Sequence, residues 1–166
     1  MTDPRIQQLL DKQEIREVLA RYCRGIDRLD AGLIASVYHS DAYDDHGTYK
    51  GPAAGFVEYV VPALRRYAST MHFLGNCLVE IEGDSAKSET YCVAYHCSKP
   101  ADGPETEMVA GVRYVDRFER RESGPWLIAH RTVVFEWSRV DEVRNSWTPT
   151  EFTMGRRDRE DYVYTA

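Results

Sequence analysis

The spacing of apolar and polar positions divides this chain into two halves with different periods. Ile15, Val18, Leu19, Tyr22 and Ile26 recur at steps of three and four, which predicts an amphipathic helix. Gly25 and the polar run Asp27-Arg28-Leu29-Asp30 should end it, and Asp30 can cap a second short helix through Leu33, Ile34 and Val37. Residues 41–49 are turn-rich and read as a loop or a short strand pair. From Pro52 onward Phe56, Val57, Val60, Val61, Leu64 and Tyr67 restore the helical period, with Pro62 expected to kink or restart that helix. After residue 70 the period becomes two, and residues 71–82, 86–98, 107–120 and 126–139 read as four long strands. Glu82-Gly83-Asp84, the stretch 99–104 and Glu122-Ser123-Gly124-Pro125 supply the turns between them. Helices followed by a strand meander predict an α+β fold, with a curved antiparallel sheet wrapped over three N-terminal helices. Such an arrangement leaves a hollow suited to a small ligand. Residues 1–147 read as one domain, and the charged stretch 148–166 as an exposed extension or an arm onto another subunit.

Composition narrows the possibilities. A chain of 166 residues with 43% hydrophobic and 29% charged positions can bury about 70% of its unfolded surface without a metal or a disulfide. A net charge of −6 with no basic block argues against a nucleic-acid partner. No apolar run is long enough for a membrane span, and Met1-Thr2-Asp3-Pro4-Arg5 lacks the layout of a signal peptide. Cys23, Cys77, Cys92 and Cys97 lack CxxC spacing and read as reduced thiols of a cytoplasmic protein. The run Asp44-Asp45-His46 reads as a turn or pocket rim, because adjacent residues rarely converge on one metal ion. No phosphate-loop, dinucleotide or nucleophile-elbow motif is present, so the expectation is chemistry with neither cofactor nor metal. Eleven tyrosines and three tryptophans can line a pocket for a hydrophobic, aromatic or polycyclic molecule.

Strict alternation puts Leu127, Ala129, Arg131, Val133, Phe135 and Trp137 on one face of the last strand. An arginine there needs either a core carboxylate or a ligand anion. In the first long strand His72 shares a face with Leu74, Asn76 and Leu78, while Met71, Phe73, Cys77, Val79 and Ile81 look like packing. Histidine can take or give a proton near neutrality. Asp27, at the end of the first helix, could orient that imidazole. Tyr22, five residues earlier, lies about 140° away around the helix and could flank the same opening.

Taken together, Tyr22 to Asp30, Tyr38-His39-Ser40-Asp41-Ala42, Gly51-Pro52, Met71 to Asn76 and Gly124 to Arg131 form a pattern in order and spacing. That pattern resembles the SnoaL-like branch of the nuclear transport factor 2-like superfamily over roughly residues 8–140. The resemblance implies a cone-shaped barrel of cystatin-like type, commonly a homodimer or homotrimer. Relatives of this kind include scytalone dehydratase, bile-acid dehydratase, hexachlorocyclohexane dehydrochlorinase, polyketide cyclases and a lyase that releases formaldehyde. The dehydratase-like members pair an Asp and a His at positions matching Asp27 and His72. Tyr22 matches a tyrosine of the bile-acid enzyme and replaces a basic residue of the dehydrochlorinase, which argues against halide elimination. Arg131 matches a dehydrochlorinase arginine.

The function expected from these features is a cofactor-independent lyase that removes water, or formaldehyde by retro-aldol cleavage, from a hydrophobic aromatic molecule. His72 would serve as base, Asp27 as its orienter, and Tyr22 and Arg131 as stabilisers of developing charge. Tyr43, Tyr49, Asn76, Tyr95 and Phe135 are the candidate substrate-binding residues. The alternatives are an isomerase using the same dyad, and a ligand-binding protein or accessory subunit without catalysis, since the superfamily holds all of these.

Overall fold

The structure is a computed structural model and describes residues 3–144 and 151–166. Helix α1, Pro4–Arg28, starts where the Asp3 carboxylate accepts from the Arg5 amide and Pro4 occupies the first turn. Ile15, Val18, Leu19, Tyr22 and Ile26 form its buried stripe. It ends at Leu29, in the left-handed conformation at φ 54°. Helix α2, Ala31–Ala35, is capped by Asp30, whose Oδ1 accepts from the Leu33 amide at 3.1 Å. The turn between them is tight: a Cβ on Gly25 would lie 2.8 Å from Ile34 Cγ1, so glycine sets the approach of the two helices.

Strands β1 (Tyr38–Asp45) and β2 (Lys50–Pro52) pair antiparallel, so the turn-rich segment is a short strand pair. Helix α3 spans Ala53–Leu64. Pro62 sits in its last turn, and the helix ends two residues later without restarting. Strands β3 (Ser69–Glu82), β4 (Ser85–Ser98), β5 (Thr106–Arg120) and β6 (Trp126–Glu142) then form the meander, and a four-residue helix α4 (Tyr162–Thr165) closes the chain. The six strands make one curved, open sheet in the order β2-β1-β6-β5-β4-β3. The β1–β6 pairing is parallel, a long-range contact that hairpin signals do not announce. Every other pairing is antiparallel. The helices cover the inner face, where Trp126, Tyr114, Phe56, Phe118, Ile128 and Val37 form much of the core.

Three register shifts correct the face assignments made by strict alternation. β3 is shifted against β4 between Leu74 and Cys77. Thr70, His72 and Leu74 therefore share the inner face with Cys77, Val79 and Ile81, while Met71, Phe73 and Leu78 are exposed outside. β6 is shifted against β5 around Ala129 and again around Glu136. Arg131, Val133 and Phe135 thus keep one face, while Trp137 turns to the other and packs over Gly111. Each bulge inserts one residue into a period of two and inverts everything beyond it.

The tail is docked, not free. From residue 151 it folds back on the C-terminal end of α1: Arg159 Nη2 donates to Asp30 Oδ1 at 3.0 Å, the Tyr164 hydroxyl to Asp30 Oδ2 at 3.0 Å, and Arg28 pairs with Asp161 at 3.2 Å.

Candidate active site

Helix α1 delivers Asp27 in its last turn to the start of β3, where Thr70 and His72 point inward. The Asp27 carboxylate collects three hydrogen bonds there. Oδ1 accepts from His72 Nδ1 at 2.8 Å and from the Thr70 hydroxyl at 2.9 Å, and Oδ2 accepts from the His72 amide at 3.0 Å. The side chains of His72 and Asp27 are 9% and 13% exposed. A carboxylate fixed on Nδ1 sets the tautomer and leaves Nε2 as the nitrogen for proton transfer. The two residues that the sequence proposed as a dyad therefore do meet, 45 positions apart.

His96, on β4, was not foreseen. Its ring stands edge-on to His72 at 5.5 Å between centroids and 4.8 Å from the Tyr67 ring. Burial, reinforced by the neighbouring His72, lowers its pKa to about 4, so it is neutral at physiological pH. Its Nδ1 is buried with no hydrogen-bond partner among the described residues. The signal in the sequence was parity alone: His96 lies two positions from Ala94, the register partner of His72.

Arg157 backs the dyad from the tail. Its guanidinium donates to the carbonyls of Leu64 (2.9 Å), Tyr67 (2.6 Å) and Asp27 (3.3 Å) and to the Thr70 hydroxyl (3.2 Å). A chain of hydrogen bonds thus runs Arg157–Thr70–Asp27–His72. Burial, with Arg28 and Arg65 nearby, lowers the Arg157 pKa against the pull of Asp27. Nothing local in the sequence marks this residue, because its partners lie about 90 positions or more away.

Tyr22 and Arg131 also meet, but as a second cluster. Arg131 is fully buried and forms a two-pronged pair with Asp116, both bonds 2.8 Å. Of the two readings left open by the sequence, the structure supplies the core carboxylate. The guanidinium carbon lies 4.1 Å from the Tyr22 ring centroid and 4.3 Å from that of Tyr114, in the corner between two rings set nearly at right angles. Burial opposes its charge, and Asp116 together with Tyr38 outweighs that, so the Arg131 pKa is raised. Burial likewise pushes the Tyr22 hydroxyl well above its ordinary value, with Arg131 opposing, so it remains a neutral donor.

The substrate-binding candidates scatter. Tyr43 stacks on His130 at 5.3 Å and is half-exposed, and Tyr95 lies on the outer face of β4 opposite Met71 and Val109. Asn76 sits exposed within the β3 bulge. All three are exposed and not turned onto the Asp27–His72 pair, and for Asn76 the bulge in β3 is the reason. The Tyr49 hydroxyl donates to the Pro52 carbonyl at 2.7 Å, and its ring flanks Phe56 and Tyr59. Phe135 shares the inner face with Arg131 and Val133, yet is 63% exposed.

Comparison with known proteins places this architecture. The profile of the SnoaL-like domain matches residues 7–132. The chain belongs to that family. Uncharacterized proteins of Mycobacterium tuberculosis and Mycobacterium bovis are 27% identical over 129 residues, covering 76% of this SnoaL-like chain and 86% of each relative. A scytalone-dehydratase-like protein from Novosphingobium aromaticivorans superposes with a TM-score of 0.71 at 13% identity, over 89% of this chain and 97% of that one. A type-three hexachlorocyclohexane dehydrochlorinase from Novosphingobium barchaimii gives 0.71 at 19% identity, over 87% and 98%. A protein from N. aromaticivorans described as NTF2-like with a cystatin-like fold gives 0.62 at 26% identity, over 81% and 91%. At such identities the likeness establishes the fold of the SnoaL-like domain, and the chemistry must be argued from the site.

Proposed function

We propose that this protein is a cofactor-independent lyase acting on a hydrophobic aromatic or polycyclic molecule, from which it removes water or, by retro-aldol cleavage, formaldehyde. The observation that carries the reading is the Asp27–His72 pair: a 2.8 Å contact with the ring held by Nδ1 and largely shielded from solvent. An imidazole so oriented abstracts a proton through Nε2, and the carboxylate stabilises the imidazolium that forms. Dehydration uses this base on a C–H beside a carbonyl, whereas formaldehyde release uses it on a primary hydroxyl. Tyr22 and Tyr114, steadied by Arg131, form the second buried cluster, which adds polarisable rings and a neutral phenol to the protein's interior. Structural neighbours named as a scytalone-dehydratase-like protein and as a dehydrochlorinase support an elimination, since both names describe loss of a small group.

The test is a spectrophotometric screen of β-hydroxy aryl ketones and hydroxymethyl aromatics, in which loss of water or formaldehyde changes the conjugated chromophore. His72→Ala should lower kcat by about 100- to 10,000-fold, and Asp27→Asn should fall in the same range with substrate affinity nearly retained. Turnover at wild-type rate in both variants would overturn the reading. Ligand binding without turnover in the wild type would instead assign a carrier or accessory role.

A further inference from the structure

Between helix α1 and strand β3 lies a cavity of about 360 Å³, walled by Arg16 and Leu19 of the helix, Leu74, Gly75 and Cys77 of β3, and Thr90 of β4. It is separate from the Asp27–His72 pair, since Arg16 stands about three turns of α1, or ~16 Å along the axis, before Asp27. The β3 bulge builds it. Leu74 pairs with Cys92 and Cys77 with Thr90, so Gly75 and Asn76 together oppose Tyr91 alone and the ladder is interrupted. β3 is also the last strand in the sheet order, so the interruption lies at an edge. Glycine within a strand loses backbone entropy and packs nothing. Yet Gly75 is not in the left-handed region, and a Cβ there would make only ordinary contacts, 3.8 Å to Tyr91 Cβ and 3.9 Å to the Tyr91 carbonyl oxygen. Neither backbone geometry nor crowding asks for glycine. What it leaves is room, toward this cavity on one side and toward the outer groove between Phe73 and Tyr91 on the other.

The lining changes character from floor to lip. Leu19 and Thr90 are buried, and Leu74 and Cys77 are partly so. The hydroxyl among them is committed: Thr90 Oγ1 donates to Cys77 Sγ at 3.3 Å. A group that reaches this floor finds no free donor, which favours an apolar one. Arg16 is exposed and is the single charged residue of the lining. Among the described residues no hydrogen bond or ion pair engages its guanidinium. Its neighbours one turn away on the helix, Lys12, Gln13, Leu19 and Ala20, offer no carboxylate, and Lys12 adds a second cation.

We propose that this cavity binds a small organic acid, with its apolar body against Leu19, Leu74 and Cys77 and its carboxylate on Arg16. The volume is at the small end of the range for small-molecule sites and suits a single or fused ring. A cationic lip over an apolar floor selects a monoanion: a neutral body leaves the guanidinium unpaired, and a second charge would have to be buried. The site is independent of the lyase reading, and neither stands or falls with the other.

The probes are 2-naphthoate and 2-naphthylmethanol, which share a ring system and differ in charge. Isothermal titration of the full-length protein should show naphthoate to be the tighter ligand. Arg16→Gln should weaken naphthoate about ten-fold, the loss of one charge-assisted bond, and leave naphthylmethanol little changed. Cys77→Leu, which fills the floor, should weaken both. Equal affinity of the wild type for the two compounds, no binding of either, or a naphthoate affinity indifferent to Arg16→Gln would overturn the proposal. Should Cys77→Leu fail to fold, backbone amide resonances of the wild-type protein decide the matter: naphthoate should shift those of Arg16, Leu19, Leu74 and Gly75. Shifts confined to Phe73, Tyr91 and Trp137 would put the ligand on the outer face, and shifts confined to His72 and His96 would put it at the dyad. Either result sinks this site, and none of these outcomes bears on turnover by His72.

Discussion

Arg131 and His96 show two ways of keeping an ionisable side chain inside a β-sheet protein. Arg131 retains its charge because Asp116 meets it with two parallel bonds at complete burial. Removing one partner strands the other, so Arg131→Met should cost about 3–5 kcal/mol in urea unfolding, while Arg131→Met combined with Asp116→Leu should recover most of the loss. His96 instead gives up its charge. With a folded pKa of about 4 against about 6.5 in the unfolded chain, the unfolded state binds more protons between those values. Stability therefore rises with pH through that window, and acidification from pH about 6.5 to about 4 destabilises the fold. His96→Gln should flatten this part of the pH-dependence of the urea midpoint relative to wild type. An unchanged slope would contradict a neutral His96. Neither outcome could be read from residue type: the Arg131–Asp116 pair depends on which positions of β5 and β6 face each other, and two bulges set that register.

At the scale of elements, the periodicities located the four long strands and the second and third helices to within about three residues, because hydrophobic spacing and turn residues act locally, whereas the first helix starts at Pro4, well before the apolar stripe that marked it. Strand faces were another matter. Asn76 and Trp137 changed sides because an inserted residue inverts parity, and nothing in a run such as Leu74 to Cys77 announces the insertion. Gly111 records such a contact: a Cβ there would overlap the Trp137 indole. Gly111→Ala should lower the melting temperature, and Gly111→Ala with Trp137→Val should restore part of it. The tail makes the second element-scale prediction. Truncation after Met154, or Arg157→Gln, removes the donor behind Thr70, so the catalytic loss should appear mainly in kcat, with the His72 ring resonance displaced. Arg157→Lys should rescue poorly, since one ammonium cannot reach three carbonyls and a hydroxyl together. A variant with altered melting temperature but unchanged His72 signal and kcat would make Arg157 a stabilising strap only.

For the molecule as a whole, the outer face of the sheet is the outstanding surface. Met71, Phe73, Leu78, Tyr91 and Trp137 are all between 46% and 64% exposed there. Among them, the charges are paired: Arg113 lies between Glu89 and Glu136, and Arg139 contacts Asp141. In a chain of net charge −6, an apolar face whose few charges are paired is where two copies meet with least repulsion. We expect a homodimer or homotrimer built on it, and Phe73→Glu with Trp137→Glu should shift sedimentation toward the monomer while the far-ultraviolet spectrum stays the same. Retention of the wild-type mass would place the interface elsewhere.

What the sequence determined by itself was short-range: helical and strand periods, the cap at Asp30, the turns, and the residue types from which a proton-transfer pair could be assembled. Only the tertiary structure decided which of those residues meet. Asp27 joins His72 because α1 is long enough to reach the start of β3, Arg131 joins Asp116 because two bulges set their register, and Arg157 reaches the dyad because the tail folds back. Hydrogen bonds between segments tens of residues apart depend on strand pairing and helix placement, and those are settled by the collective burial of the core.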